Sequence, residues 1–184
     1  MTDTSEKPSS DEILQRAMIR ANRAIWTINM QSRRLRTTEP EDSEFRGRRM
    51  ADFEFLIMII SRLRRAACLA QQATEATDSV KNAINAFDKA LPTLKKLRDV
   101  AEHIDEYSMD NGRNKSVSRM DLEVSSLTHH GQTFTWLGES INVDRALEAS
   151  TALFKSIKEA REFLGRMYAP SREDNQTRTT SEVQ

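Results

Sequence analysis

The chain has 184 residues, enough for one domain that buries a sizeable core without disulfides or structural metals. Its 28 Lys and Arg balance 28 Asp and Glu, so no global field draws it toward nucleic acid or a membrane. The single cysteine, Cys68, excludes an intramolecular disulfide, and a reducing cytoplasm is the expected compartment.

The start of the chain lacks the apolar run of a signal peptide, and the densest apolar stretch, Phe53 to Ile60, is far short of a membrane span. Five glycines and four prolines among many Ala, Leu, Glu, Arg and Lys residues favour helix. Residues 1–10 and 170–184 are polar and expected to be disordered tails around one helical domain, 11–169.

A first helix is expected from Asp11 to Arg36, with Ser10 as its cap and Leu14, Met18, Ala21, Ile25, Ile28 and Leu35 as its apolar stripe. Pro40 lies in the loop that follows. A second helix, Ser43 to Thr77, is apolar almost all round at its centre and reads as the most buried. A third, Asp78 to Tyr107, carries Val80, Ile84, Phe87, Leu91 and Leu94 at alternating spacings of four and three. Pro92 inside it should kink or split the helix. Asp110, Asn111 and Gly112 then supply turn chemistry.

The period next changes to two. Met120, Leu122 and Val124, then Phe134 and Trp136, flank Thr128 to Gln132, which predicts a β-hairpin over about 119–138. Phe134 and Trp136 are expected to pin it to the bundle. A fourth helix runs from Asp144, its expected cap, to Tyr168, with Leu147, Phe154, Ile157, Leu164 and Met167 or Tyr168 as its stripe. The expected fold is all-α: a four-helix bundle of long amphipathic helices with a hairpin inserted between the third and fourth.

No Gly-rich phosphate loop, GxSxG, HExxH or CxxC is present. The segment Leu97-Arg98-Asp99-Val100-Ala101-Glu102-His103 draws most interest. Continuing the seam from Leu94 lands on Arg98, where an apolar residue is expected. An arginine at the edge of a buried stripe needs a carboxylate, a second subunit or a phosphate as partner. Arg98 and His103 lie about 140° apart on a regular helix. Two copies facing each other would bring an Arg and a His from each to one cleft. The plain alternative is a solvated face stabilised by the Arg98–Glu102 and Asp99–His103 spacings.

Arg98-Asp99-Val100-Ala101-Glu102-His103 resembles the R-x(4–6)-H motif of the HEPN superfamily (higher eukaryotes and prokaryotes nucleotide-binding). That motif sits late in a long helix of a helical bundle, and a polar residue such as Asp99 commonly follows the Arg. The resemblance implies a homodimer and a metal-independent endoribonuclease, as in toxin–antitoxin and defence systems. Arg98, His103 and Asp99 would be catalytic, with no cofactor and no metal. RNA would be the substrate, and a protein antitoxin or a nucleotidyltransferase a partner. The hairpin is not a core element of that family. Rival expectations are a non-catalytic helical interaction module, or a HEPN-like bundle that binds a nucleotide or partner without turnover.

Arginines cluster at Arg33, Arg34 and Arg36, at Arg46, Arg48 and Arg49, and at Arg62, Arg64 and Arg65. The first two groups flank one loop and are candidates for an RNA-tracking surface. The alternative is a solvated face neutralised by Glu39, Glu41, Asp42 and Glu44. His129 and His130 at the hairpin tip read as an exposed turn rather than a metal site. Trp26 is expected to serve packing or an interface rather than ligand stacking, and Cys68 to be buried and inert.

Overall fold

The computed structural model describes residues 7–37, 43–73, 77–128 and 132–167. Six helices and one three-stranded antiparallel sheet account for most of them, so the protein is mostly helical but not all-α. The helices are α1 (Ser10–Leu35), α2 (Ser43–Ala70), α3 (Thr77–Ala90), α4 (Leu94–Glu102), α5 (Ile104–Ser108) and α6 (Val143–Met167). Residues 1–6 of the expected first tail and all of the second, 170–184, lie outside the described residues, as do Tyr168 and residue 169.

The first helix begins one residue earlier than its expected cap implies. Ser9 Oγ accepts from the Glu12 backbone N–H at 3.3 Å, and Glu12 Oε2 accepts from the Ser9 backbone N–H at 2.9 Å. This reciprocal pair satisfies two N–H groups that a helix start otherwise leaves open. Ser9 therefore caps the helix, and Ser10 is inside it. Leu14, Ala21, Ile28 and Leu35 are fully buried, while Met18 and Ile25 flank them.

The apolar centre of α2 packs against α1, α3, α4 and α6, so this helix is the hub of the bundle. It ends at Ala70 rather than Thr77, and Thr77 opens α3. Val80, Ile84 and Phe87 of α3 are buried in the same core.

Where one long third helix is expected there are three shorter ones. The first break is at Pro92, which has no N–H to continue the ladder. The second is at His103, whose φ of −127° and ψ of 35° leave the helical region. The Pro92 break also resets the phase. Leu94, Leu97 and Val100 point inward on α4, and Arg98 lies beside that stripe rather than on it.

The expected hairpin is instead a three-stranded meander, β1 (Ser125–Thr128), β2 (Thr133–Trp136) and β3 (Glu139–Asn142), in that order. The expected first strand through Met120 and Val124 is a 3-10 turn, Arg119–Asp121, followed by loop, with Leu122 inward and both flanking residues exposed. Ser118 and Asp121 cap each other's backbone there, which favours the turn over a strand. The missed strand β3 follows a tight turn at Leu137 (φ 54°) and Gly138 (φ 72°). Two successive positive φ values match the twist of a short hairpin.

Phe134 stacks on Phe53 of α2 with ring centroids 3.7 Å apart, and Trp136 Nε1 donates to the Leu122 carbonyl at 2.9 Å. Phe134 thus pins the sheet to the bundle, while the buried Trp136 ties it to the loop after the 3-10 turn. Lys96 of α4 holds its far turn, donating to the Leu137 carbonyl at 3.2 Å and pairing with Glu139 at 3.0 Å. Asn142, not Asp144, caps α6 by accepting from the Arg145 N–H at 2.9 Å. The inward face of α6 centres on Ala146, Ser150, Leu153, Ile157 and Leu164, leaving Met167 exposed. No described helix is long and apolar enough to cross a membrane.

Candidate functional site

Arg98 sits not late in one long helix but midway along the nine-residue α4, next to buried Leu97. Its side chain is only 23% exposed, and carboxylates meet its charge. Asp99 pairs directly with the guanidinium, and Glu102 Oε2 lies 3.5 Å from Nε. Glu102 also faces Arg65 of α2 at 3.5 Å. The result is an ion chain, Arg65–Glu102–Arg98–Asp99, that ties α4 to α2. Arg98 further lines a recess at the Pro92 break, beside Lys95 and the Arg64–Asp88 pair. That pair is a two-pronged bond, 2.6 Å on each prong, and the Asp88 hydrogen bond raises the already high pKa of Arg64.

His103 occupies the junction of α4 and α5 with a 46% exposed side chain. Its Nδ1 lies 3.2 Å from Glu106 Oε1. Within one chain, then, Arg98 and Asp99 are brought together, and His103 has a different carboxylate partner. The Asp99–His103 pairing that the spacing suggests is replaced by Arg98–Asp99 and His103–Glu106. Tyr107 steadies this corner: its ring is buried and its hydroxyl accepts from the Asn114 N–H at 3.1 Å. A Cβ on Gly112 would fall 2.1 Å from that ring, so the loop needs glycine where it crosses Tyr107.

The arginine groups flanking the 38–42 segment do not form one open track. Arg34 Nε donates to Asp52 at 2.9 Å, and Arg36 pairs with Asp144. Arg49 is buried and Arg48 half-buried between the helices. Arg33 is exposed, and the side chain of Arg46 lies outside the described part of the molecule. So do His129 and His130, and so do Glu39, Glu41 and Asp42. Cys68 is half-buried, and Arg64 Nη1 donates to its Sγ at 3.5 Å.

A different basic feature escapes the clustering argument. A groove of about 830 Å³ runs between α1 and α2, lined by Arg16, Arg20 and Arg23 on one side and Arg62 and Arg65 on the other. The signal was present in the spacing. Positions 16, 20 and 23 share one helix face, as do 62 and 65, but only adjacency of the two helices joins them. Trp26, expected in packing or an interface, is 65% exposed and so not packed within the chain; it lies in a shallower recess that shares Arg23 with the groove and reaches Arg33. Among the described residues no group of three His, Cys, Asp or Glu side chains is placed to hold a metal ion.

Comparison of the chain with protein-family models, with curated proteins and with solved structures yields no match.

Proposed function

We propose that this protein is a HEPN-like, metal-independent endoribonuclease that acts as a homodimer, with Arg98 and His103 of both copies facing a shared cleft. The observation that carries the reading is the exposure of the motif's two side chains, even though α4 is shorter than the helix the resemblance implies and His103 lies just past its end. Arg98, held by Asp99, lies partly buried on α4, and His103 follows five residues later, half-exposed at the helix junction.

These residue types suit the chemistry. RNA supplies its own nucleophile, the 2′-hydroxyl. An imidazole near neutrality takes the 2′ proton or returns one to the departing 5′ oxygen. As the new P–O2′ bond forms and the P–O5′ bond breaks, a guanidinium stabilises the added negative charge on phosphorus. The products are a 2′,3′-cyclic phosphate and a 5′-hydroxyl. Asp99 holds the Arg98 fork in place, and Glu106 is positioned to set the tautomer of His103.

The test is the chemistry of the ends. End-labelled RNA incubated with the protein in excess EDTA should yield cyclic phosphates, and a strand with a single 2′-deoxy substitution at the cut site should resist. Cleavage of the deoxy strand at the same position would overturn the mechanism.

A second reading, a non-catalytic helical interaction module, is favoured by the ion chain. Both carboxylates beside Arg98 are engaged with it, as a purely structural arginine requires.

A further inference from the structure

We infer that the groove between α1 and α2, with Trp26 beside it, is a binding track for single-stranded nucleic acid, separate from the Arg98–His103 site. Three features carry this: charge, side-chain chemistry and length.

All five charged side chains lining the groove are arginines. Arg65 shares Glu102, and Arg16 lies near Glu12, but Arg20, Arg23 and Arg62 have no ion-pair partner among the described residues. The chain as a whole is neutral, so this local excess is a concentrated anion site rather than part of a general basic surface. Arginine forks match phosphate oxygens, and a row of them on two facing helices suits a backbone of repeated charges. A second copy of the same face would meet like charge with like, which disfavours self-association through the groove.

The recess that continues the groove shares Arg23 with it and adds Asn22, Asn29, Trp26 and Arg33. An exposed indole beside amides and guanidinium groups is a platform on which an unpaired base stacks. Paired bases in a duplex would not offer their faces to Trp26. From Arg16 to Arg33 the two recesses span about 25 Å along α1, at a rise of about 1.5 Å per residue, and wind about a quarter-turn round it through the shared Arg23. That length accommodates about 4–7 nucleotides of single strand. The apolar floor of Ala24, Ile59, Ala66 and Leu69 gives the strand a dry side.

The inference does not rest on RNA cleavage, because the track has no member in common with Arg98 and His103. It is tested by binding alone, in EDTA, with fluorescein-labelled oligo-U and oligo-dT of about 20 nucleotides. The DNA strand lacks the 2′-hydroxyl, so its binding is read whether or not the protein cuts RNA. The wild type should bind at least one of the two strands, and their ratio tells RNA from DNA. Its affinity should fall steeply with salt, with a log–log slope near about −3 to −4 for five arginine–phosphate contacts. Arg20→Ala with Arg62→Ala should weaken binding about tenfold or more and reduce that slope by about 1.4. Trp26→Ala should weaken binding about tenfold, and Trp26→Phe should restore most of it. Circular dichroism confirms that these surface variants fold. Failure to bind either strand would overturn the inference. So would arginine-dependent binding that Trp26→Ala leaves unchanged and that poly-glutamate competes as well as unlabelled strand, which would mark an acidic protein as the occupant.

Discussion

Arg65 of α2 and Glu102 of α4 face each other across the bundle at 3.5 Å, and that contact joins the arginine groove to the Arg98 corner. Glu102 is shared: its other oxygen lies 3.5 Å from Arg98 Nε. Glu102→Gln removes one negative charge from between two arginines. Both pairs are partly solvated, so the stability cost should be within about 1 kcal/mol. Affinity for a nucleic-acid strand should rise, because Arg65 no longer has a competing carboxylate. Urea denaturation and fluorescence anisotropy on the same variant check both halves. A large loss of stability would show that the ion chain is structural above all.

The Tyr107–Gly112 crossing should be intolerant of even one added carbon. Gly112→Ala places a methyl group into the buried ring, which must move and give up its hydrogen bond with the Asn114 N–H. A cost of about 1–3 kcal/mol is expected. Because the loop and α5 share this crossing, His103 should become more mobile, seen as a narrowed, shifted imidazole signal in proton–nitrogen spectra. An unchanged melting temperature would contradict this packing.

Removing the ring that docks the sheet should be costlier. Phe134 and Phe53 are both almost completely buried, and Phe134→Ala leaves a cavity between the sheet and α2. A loss of about 3–5 kcal/mol is expected from urea denaturation. Trp136→Phe, which keeps an aromatic but loses the bond to the Leu122 carbonyl, should cost less, about 1–3 kcal/mol.

Acid should weaken the start of α1. The Ser9 backbone N–H, then the Ser9 hydroxyl, hold the Glu12 carboxyl below its ordinary range. A carboxyl that is more acidic folded than unfolded contributes stability above the unfolded pKa, and loses it as pH falls through the folded value. Glu12→Gln should therefore flatten the stability loss below about pH 4 relative to the wild type. Urea denaturation from neutral to acid pH reads the difference. Parallel curves for the two proteins would contradict the cap.

The features of the fold that depend on period and on one strong residue are legible in the chain. The stripe of α1, the burial of α2 and the split at Pro92 follow from spacing and from a missing N–H. The features that escaped depend on local backbone choices with weak signatures. The β2–β3 turn uses Leu137 at positive φ where Asn or Asp is the usual sign, so β3 blended into the approach to α6. The break at His103 has no glycine or proline to announce it. Met120, Leu122 and Val124 alternate like a strand, yet Ser118 and Asp121 draw the backbone into a turn.

For the candidate site, the seam spacing marks Arg98 as an arginine that needs a carboxylate, a second subunit or a phosphate, and Asp99 and Glu102 are the carboxylates beside it. The arginine groove is not legible in the chain, because proximity in sequence is a poor guide to proximity across two long helices. Arg34 and Arg36, close in sequence to other arginines, are spent on Asp52 and Asp144. Arg20 and Arg62, far apart in sequence, line one groove.

The most direct measurement compares wild type with His103→Ala, and with His103→Asn as a polar control, on one RNA in excess EDTA at matched fold and oligomeric state. Cleavage by the wild type that falls at least about a hundredfold in both variants is the predicted result, from the usual size of general acid–base contributions. Equal cleavage by all three proteins, or none by any, would contradict the assignment of His103 and leave Arg98 as an ordinary member of an ion chain.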